Sequence, residues 1–150
     1  MKPVLQALLL ADQVYTDATT GKKVVAGIFH TVRLHETPPP PPTAESPGVP
    51  GPVPVPRQHF RSGSPFAYVS LTNVRGKMGI DLRFVDLADN LMLMSTHVEL
   101  QPKVENDPLS TLELVMELPI LPFPHPGYYA LELYAENELI GSHRVQAVRS

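Results

Sequence analysis

Six histidines are spread along 150 residues, and imidazole is the side chain best suited to proton transfer and metal ligation near neutral pH. Their spacing argues against both uses. His30 and His35 stand five apart, which on a strand sends them to opposite faces. His59, His97, His125 and His143 are isolated from one another, and neither His-x-His nor His-Glu-x-x-His occurs. A serine nucleophile would sit on a Gly-x-Ser-x-Gly elbow, which is also missing. The closest Ser-rich patch, Arg61-Ser62-Gly63-Ser64-Pro65, borders a proline-rich stretch with no rigid scaffold to aim it. Gly21-Lys22 ends like a phosphate loop. Thr16 stands where the earlier glycine is required, though, and Lys23 where Ser or Thr is. Asp12 and Asp17 are too sparse for a calcium loop, and Asp12 reads as a group bonding nearby backbone or capping a turn. Glu113 and Glu117 lie about 13 Å apart on one strand, wider than a glycosidase pair.

Two arrangements keep chemical interest. Tyr128, Glu132 and Tyr134 share the outward face of one strand, and tyrosines on a sheet face are recurrent anchors of protein interfaces. The same face could equally be covered by the insertion or by a partner subunit. The other is His125, in an irregular crossing segment, with Asp12 or Asp107 as acid partner if the loops meet. That would suit a hydrolase or carbohydrate-active module built at one end of the domain. Pro39-x-x-Pro42 has the minimal spacing of a polyproline ligand, but no Arg or Lys flanks it closely, so a tether or surface loop is expected. No cofactor and no metal are expected.

Composition narrows the classes. The chain is 43% hydrophobic and 18% charged, which excludes a fully disordered chain and a coiled coil. The net charge is −3 with twelve scattered Lys and Arg, so the basic stripe of a nucleic-acid binder is missing. There is no cysteine, which removes disulfides and thiolate metal sites. No apolar run approaches a membrane span. Lys2 followed by Val4–Ala11 imitates a secretory leader weakly, because the run is short and Gln6 interrupts it. The same residues read as a buried strand, and a cytoplasmic protein is expected.

The elements that would position these side chains are strands. Val4–Val14 is apolar on both faces and should be central or covered on both sides. Thr16–Lys22 reads as a hairpin connection, and Val24–Leu34 as the second strand. Phe66–Val74, Gly79–Leu87, Leu91–Gln101 and Thr111–Leu118 alternate with period two, separated by turns at Arg75-Gly76-Lys77, Ala88-Asp89-Asn90 and Asn106-Asp107-Pro108. The Leu91–Gln101 strand puts Met92, Met94, Val98 and Leu100 in one register. Ten of the eighteen prolines fall between Pro38 and Pro56 and mark residues 35–65 as a long loop inserted in a single domain of 1–150. Four more, Pro119, Pro122, Pro124 and Pro126, precede Gly127-Tyr128-Tyr129. A Pro-rich corner leading through Gly-x-Tyr into a strand, then a hairpin at Glu136-Asn137-Glu138, is the pattern of a tyrosine corner. The last strand, Leu139–Val148, has Ile140 and Val145 in conflicting parity, which a bulge at Gly141 would reconcile. Eight strands with turns every 8 to 12 residues predict an antiparallel immunoglobulin-like β-sandwich.

The sequence also resembles a group of small bacterial stand-alone proteins known only as a domain of unknown function. The resemblance rests on Ala7–Tyr15, Thr20–Lys23, Ala26–Phe29, Leu118–Gly127 and Glu138–Gly141. It implies a β-sandwich and carries over no catalytic residue. The expected role is therefore a non-catalytic binding or assembly module, more binding protein than enzyme. Its expected partner is another protein or a second copy, with neither nucleic acid nor membrane. Deleting residues 37–56 is expected to leave the melting temperature within a few degrees, because the loop contributes no regular pairing. Thermal unfolding checks this, and a drop of more than about 10 °C contradicts it.

Overall fold

A computed structural model of the chain describes residues 2–34, 64–101 and 109–149. The proline-rich segment, with Pro39 and Pro42, lies outside them, as do His35, His59 and Asp107. Nine strands are present among the described residues: β1 (Val4–Thr16), β2 (Lys23–Ile28), β3 (Thr31–Leu34), β4 (Phe66–Thr72), β5 (Met78–Asp86), β6 (Leu91–Leu100), β7 (Leu112–Glu117), β8 (Gly127–Ala135) and β9 (Glu138–Arg149). They form two sheets, ordered β2-β1-β4-β7 and β3-β9-β8-β5-β6.

The strand order explains the composition of β1. It lies between β2 and β4 and pairs antiparallel with both, so its run of leucines is flanked by strands and packed against the opposite sheet. In an immunoglobulin arrangement the third, penultimate and last strands lie side by side as C, F and G, and β5, β8 and β9 do so here. β4 and β7 take the places of B and E, and β1, antiparallel to β4, that of A. β2 is an added strand on the outer side of β1.

The predicted strand over 24–34 is in fact two. Gly27 has φ +73, and a Cβ there would fall 2.3 Å from Asp12 Oδ2, so the chain bends where only glycine fits over the carboxylate. Phe29 N–H still donates to the Leu10 carbonyl, while the His30 carbonyl already accepts from Gln146 N–H. The hand-over between sheets therefore takes one residue. β3 then runs parallel to β9, the one parallel pairing described in an otherwise antiparallel fold.

The core lies between the sheets. Val69 and Leu71 of β4 face Leu82, Phe84, Leu131 and Leu133 of β5 and β8, all fully buried. The alternation in these strands is as the sequence predicts. In β6 it is not. The pairing with β5 shifts between Phe84 and Val85, and the extra residue turns Met92 out of the Met94, Val98, Leu100 register, leaving it 53% exposed. A second shift, between Leu133 and Tyr134, places the bulge of β9 at Ile140, one residue before the predicted Gly141. Gly141 is fixed by something else: a Cβ there would fall 2.2 Å from Leu5 Cδ2, so Leu5 of one sheet presses on the bare backbone of the other. Glu136 and Asn137 close the β8–β9 hairpin with φ of 50° and 65°, the paired positive values of a type I′ turn.

The segment 118–126 carries the chain from β7 in one sheet to β8 in the other. Its prolines at 119, 122, 124 and 126 face solvent and Leu118, Leu121 and Phe123 are buried. Phe123 meets Phe84 and Tyr129 edge-on, at centroid separations of 5.4 and 5.0 Å. Tyr129 is wholly buried, yet its hydroxyl donates to the His125 carbonyl at 2.5 Å and accepts from the His125 N–H at 3.2 Å. This is the tyrosine corner the sequence foreshadows, made by Tyr129 and not by its neighbour Tyr128. Tyr129→Phe keeps the ring and leaves those two backbone groups unpaired, which is expected to cost about 1–3 kcal/mol. Urea unfolding of the variant measures it, and an unchanged midpoint contradicts it.

Candidate functional site

The outward face of the second sheet is assembled by register. Tyr134 lies opposite Asp81, Glu132 opposite Arg83, and Asp81 in turn opposite His97. The Arg83 guanidinium sits 4.1 Å from the centre of the Tyr134 ring, a cation–π contact. The Tyr134 hydroxyl donates to Glu132 at 3.2 Å. Arg83 also reaches Asp81 at 3.7 Å. His97 places Nδ1 2.7 Å from Asp81 and Nε2 2.8 Å from Glu99. An acceptor at each ring nitrogen raises the His97 value above that of an ordinary histidine, Glu99 first and then Asp81. Burial and the neighbouring Glu132 carboxylate push the Tyr134 phenol up.

Tyr128 belongs to the other end of this face. It pairs with Gln146 and is 51% exposed. Towards it lie Val85 and Ala130, which face each other across β5 and β8 and are buried although they point away from the core. Met92, opposite Val85, adds exposed apolar surface. The face thus grades from an apolar end at Tyr128 to an interlocked charged end at Tyr134. Tyr128, Glu132 and Tyr134 do share one face, but Tyr128 stands apart from the Glu132–Tyr134 pair. Arg83, absent from the sequence reading of this site, is what holds Tyr134.

The second candidate, His125, does meet a carboxylate, and it is Asp86. Asp12 lies elsewhere, over Gly27, and Asp107 is outside the described residues. His125 Nε2 is bonded to Asp86 Oδ2, and Nδ1 donates to the Pro126 carbonyl at 2.7 Å. Asp86 is only 1% exposed, and its Oδ1 accepts the Ala88 N–H at 3.0 Å. The signal for Asp86 was present in the sequence. It continues the inward parity of Ile80, Leu82 and Phe84, and a buried acid at such a position requires a partner. Because both ring nitrogens are occupied, His125 has neither one free to accept a proton from a bound substrate. The arrangement ties the crossing segment to the end of β5.

Other described histidines and acids have local roles. His143 is buried, its Nε2 2.9 Å from the Phe29 carbonyl, and its ring stacks on exposed His30 at 4.7 Å. Burial holds it below the ordinary range. Asp17, and not Asp12, caps the first turn, accepting the N–H groups of Thr19 and Thr20 at 2.8 and 3.0 Å. Glu113 accepts the Tyr68 hydroxyl on the outward face of the first sheet.

These environments set a pH dependence. The Pro126 carbonyl and then Asp86 raise the His125 value. Its contribution is therefore complete below the unfolded value of about 6.5 and is lost as pH rises through the higher folded value. His143 runs the other way, and its contribution is lost as pH falls below about 6.5. The gap in melting temperature between the wild type and His125→Gln is expected to be widest near pH 5 and to narrow on the alkaline side. A gap constant from pH 5 to 9 contradicts this.

Comparison with known proteins gives a family and no activity. Residues 54–148 match the model of a family of unknown function, DUF6941. The match spans more than half of the chain and covers β4 to β9. Of the segments on which the sequence resemblance rests, those at 118–127 and 138–141 fall within it and those before residue 30 do not. None of the curated proteins matches the chain. Among solved structures, an immunoglobulin-like protein of Pseudomonas aeruginosa aligns over 99% of this chain and 98% of its own, with 10% identity and a TM-score of 0.40. On the family match, the chain belongs to DUF6941, a family of unknown function.

Proposed function

We propose that the protein is a non-catalytic binding module and that it recognises a protein partner through the outward face of the second sheet. The observation that carries this reading is the interlocking of Arg83, Tyr134, Glu132, Asp81 and His97. Side chains already fixed by one another lose little rotamer freedom on binding. Tyr and Arg are the residue types that most often supply interface energy. Half-exposed Tyr128 offers an apolar anchor at the opposite end of the face from this charged frame. A cytoplasmic setting belongs to the same proposal, supported by the lack of cysteine and by the use of Val4–Ala11 as the centre of a sheet.

The hydrolase reading has one observation in its favour, the His125–Asp86 pair, and the occupied ring nitrogens count against it. The test is affinity capture from cells that naturally express the protein. The baits are the wild type and the Tyr128→Ala and Tyr134→Ala variants, each checked for folding by its melting curve. A partner retained by the wild type is expected to fall by at least about tenfold with either variant, the loss of about 1.4 kcal/mol that a modest hot spot supplies. Equal recovery by all three baits rejects this face as the binding surface.

A further inference from the structure

The edges of the two sheets differ in how they are protected. A strand edge bears unpaired N–H and C=O groups, and proteins blunt such edges with short strands, lysine, proline or charge. β3 has four residues, β2 opens on Lys23 and contains Gly27, and six-residue β7 carries Glu113 and Glu117. β6 has ten residues without Lys, Arg or Pro. Among the described residues, its one paired neighbour is β5. The bulge of β6 lies near its start, so Met94–Leu100 pairs regularly with β5 and presents a straight ladder on its other side.

We propose that the edge of β6 left open among the described residues pairs antiparallel with β6 of a second copy of this chain, about a two-fold axis at Val98. Side chains and charge select this centre. Residues that face each other across a ladder share a side of the sheet, so the axis must pass through a residue. Centred on His97, the pairing would set two imidazoles against each other and leave Glu99 opposite Ser95. Centred on Thr96, it would bring Glu99 against Leu93 at the bulge. Centred on Val98, it sets His97 opposite Glu99 of the second copy and Glu99 opposite its His97, two imidazole–carboxylate pairs on the outward face. On the inner face Val98 meets Val98, and Thr96 meets Leu100. His97 and Glu99 are both about half exposed, and the pairing would exchange their present contact within one chain for the same contact across the axis. The two five-stranded sheets would join into one of ten. The pairing does not use Tyr128 or Tyr134 but shares His97 with the outward-face network, so the Tyr128→Ala and Tyr134→Ala variants are what separate the two proposals.

The cysteine-free sequence makes the test direct. Light scattering from about 1 µM to 1 mM should show the mass rising from the 16.5 kDa of one chain towards twice that value. Val98→Cys should oxidise to a covalent dimer, because residues opposed across an antiparallel ladder have Cα atoms about 4.5–5.5 Å apart, within disulfide reach. Ser95→Cys should not, since the two positions 95 would lie about 20 Å apart. Glu99→Lys should weaken association at least about tenfold, and the exchange His97→Glu with Glu99→Lys should restore it. Tyr128→Ala and Tyr134→Ala should leave the mass unchanged. A single-chain mass at 1 mM overturns the proposal. So does a Val98→Cys protein that melts normally and stays monomeric on oxidation, or a Ser95→Cys protein that cross-links in its place.

Discussion

One phenol hydroxyl, that of Tyr129, closes the bridge between the two sheets. The segment it serves contains four prolines, none with an N–H to offer. Such a stretch cannot hold itself by ladder bonds, so its position must come from side chains. Tyr129 receives one backbone N–H and returns a bond to the carbonyl of the same residue, His125. That fixes the height at which the segment crosses, and with it the depth at which Phe123 packs edge-on against the stacked Phe84 and Tyr129. Asp86 then pins the His125 ring from β5. A buried carboxylate and a crowded imidazole look like the beginnings of an active site. Here they serve as the clamp of a corner.

With the corner built this way, the outward face of the second sheet takes no part in holding the crossing segment. Its charged residues are engaged with one another and not with the core. Arg83 illustrates the economy of the design, touching both the ring of Tyr134 and the carboxylate of Asp81. The next strand outward, β6, continues the network through His97 and Glu99. Face and edge are therefore physically continuous, although one would act through side chains and the other through backbone.

Much of this was legible from residue order. Ile80, Leu82 and Phe84, and then Tyr129, Leu131 and Leu133, alternate so regularly that their inward face could be named without coordinates, and the prolines before Gly127 marked the corner. What failed was anything set by a single bend or bulge. The strand over 24–34 reads as continuous because the break at Gly27 depends on Asp12 lying across it, a contact between strands that no local pattern carries. Met92 was misplaced because one extra residue inverts the parity of everything beyond it. At the candidate site, Tyr128, Glu132 and Tyr134 were found by parity alone. Arg83 was not, because its role depends on which strand lies beside β8. Asp86 was there to be noticed as an acid in an apolar register.

The position of β1 has a consequence for how the molecule comes to exist. β1 must sit between two others, and its second neighbour, β4, begins at Phe66, beyond the whole proline-rich stretch. A ladder that waits for so distant a partner has a high contact order, which slows folding. Until β4 arrives, the leucines of β1 have one covered edge and no opposing sheet. The proline-rich stretch thus sets how much chain separates β1 from the strand that completes its ladder.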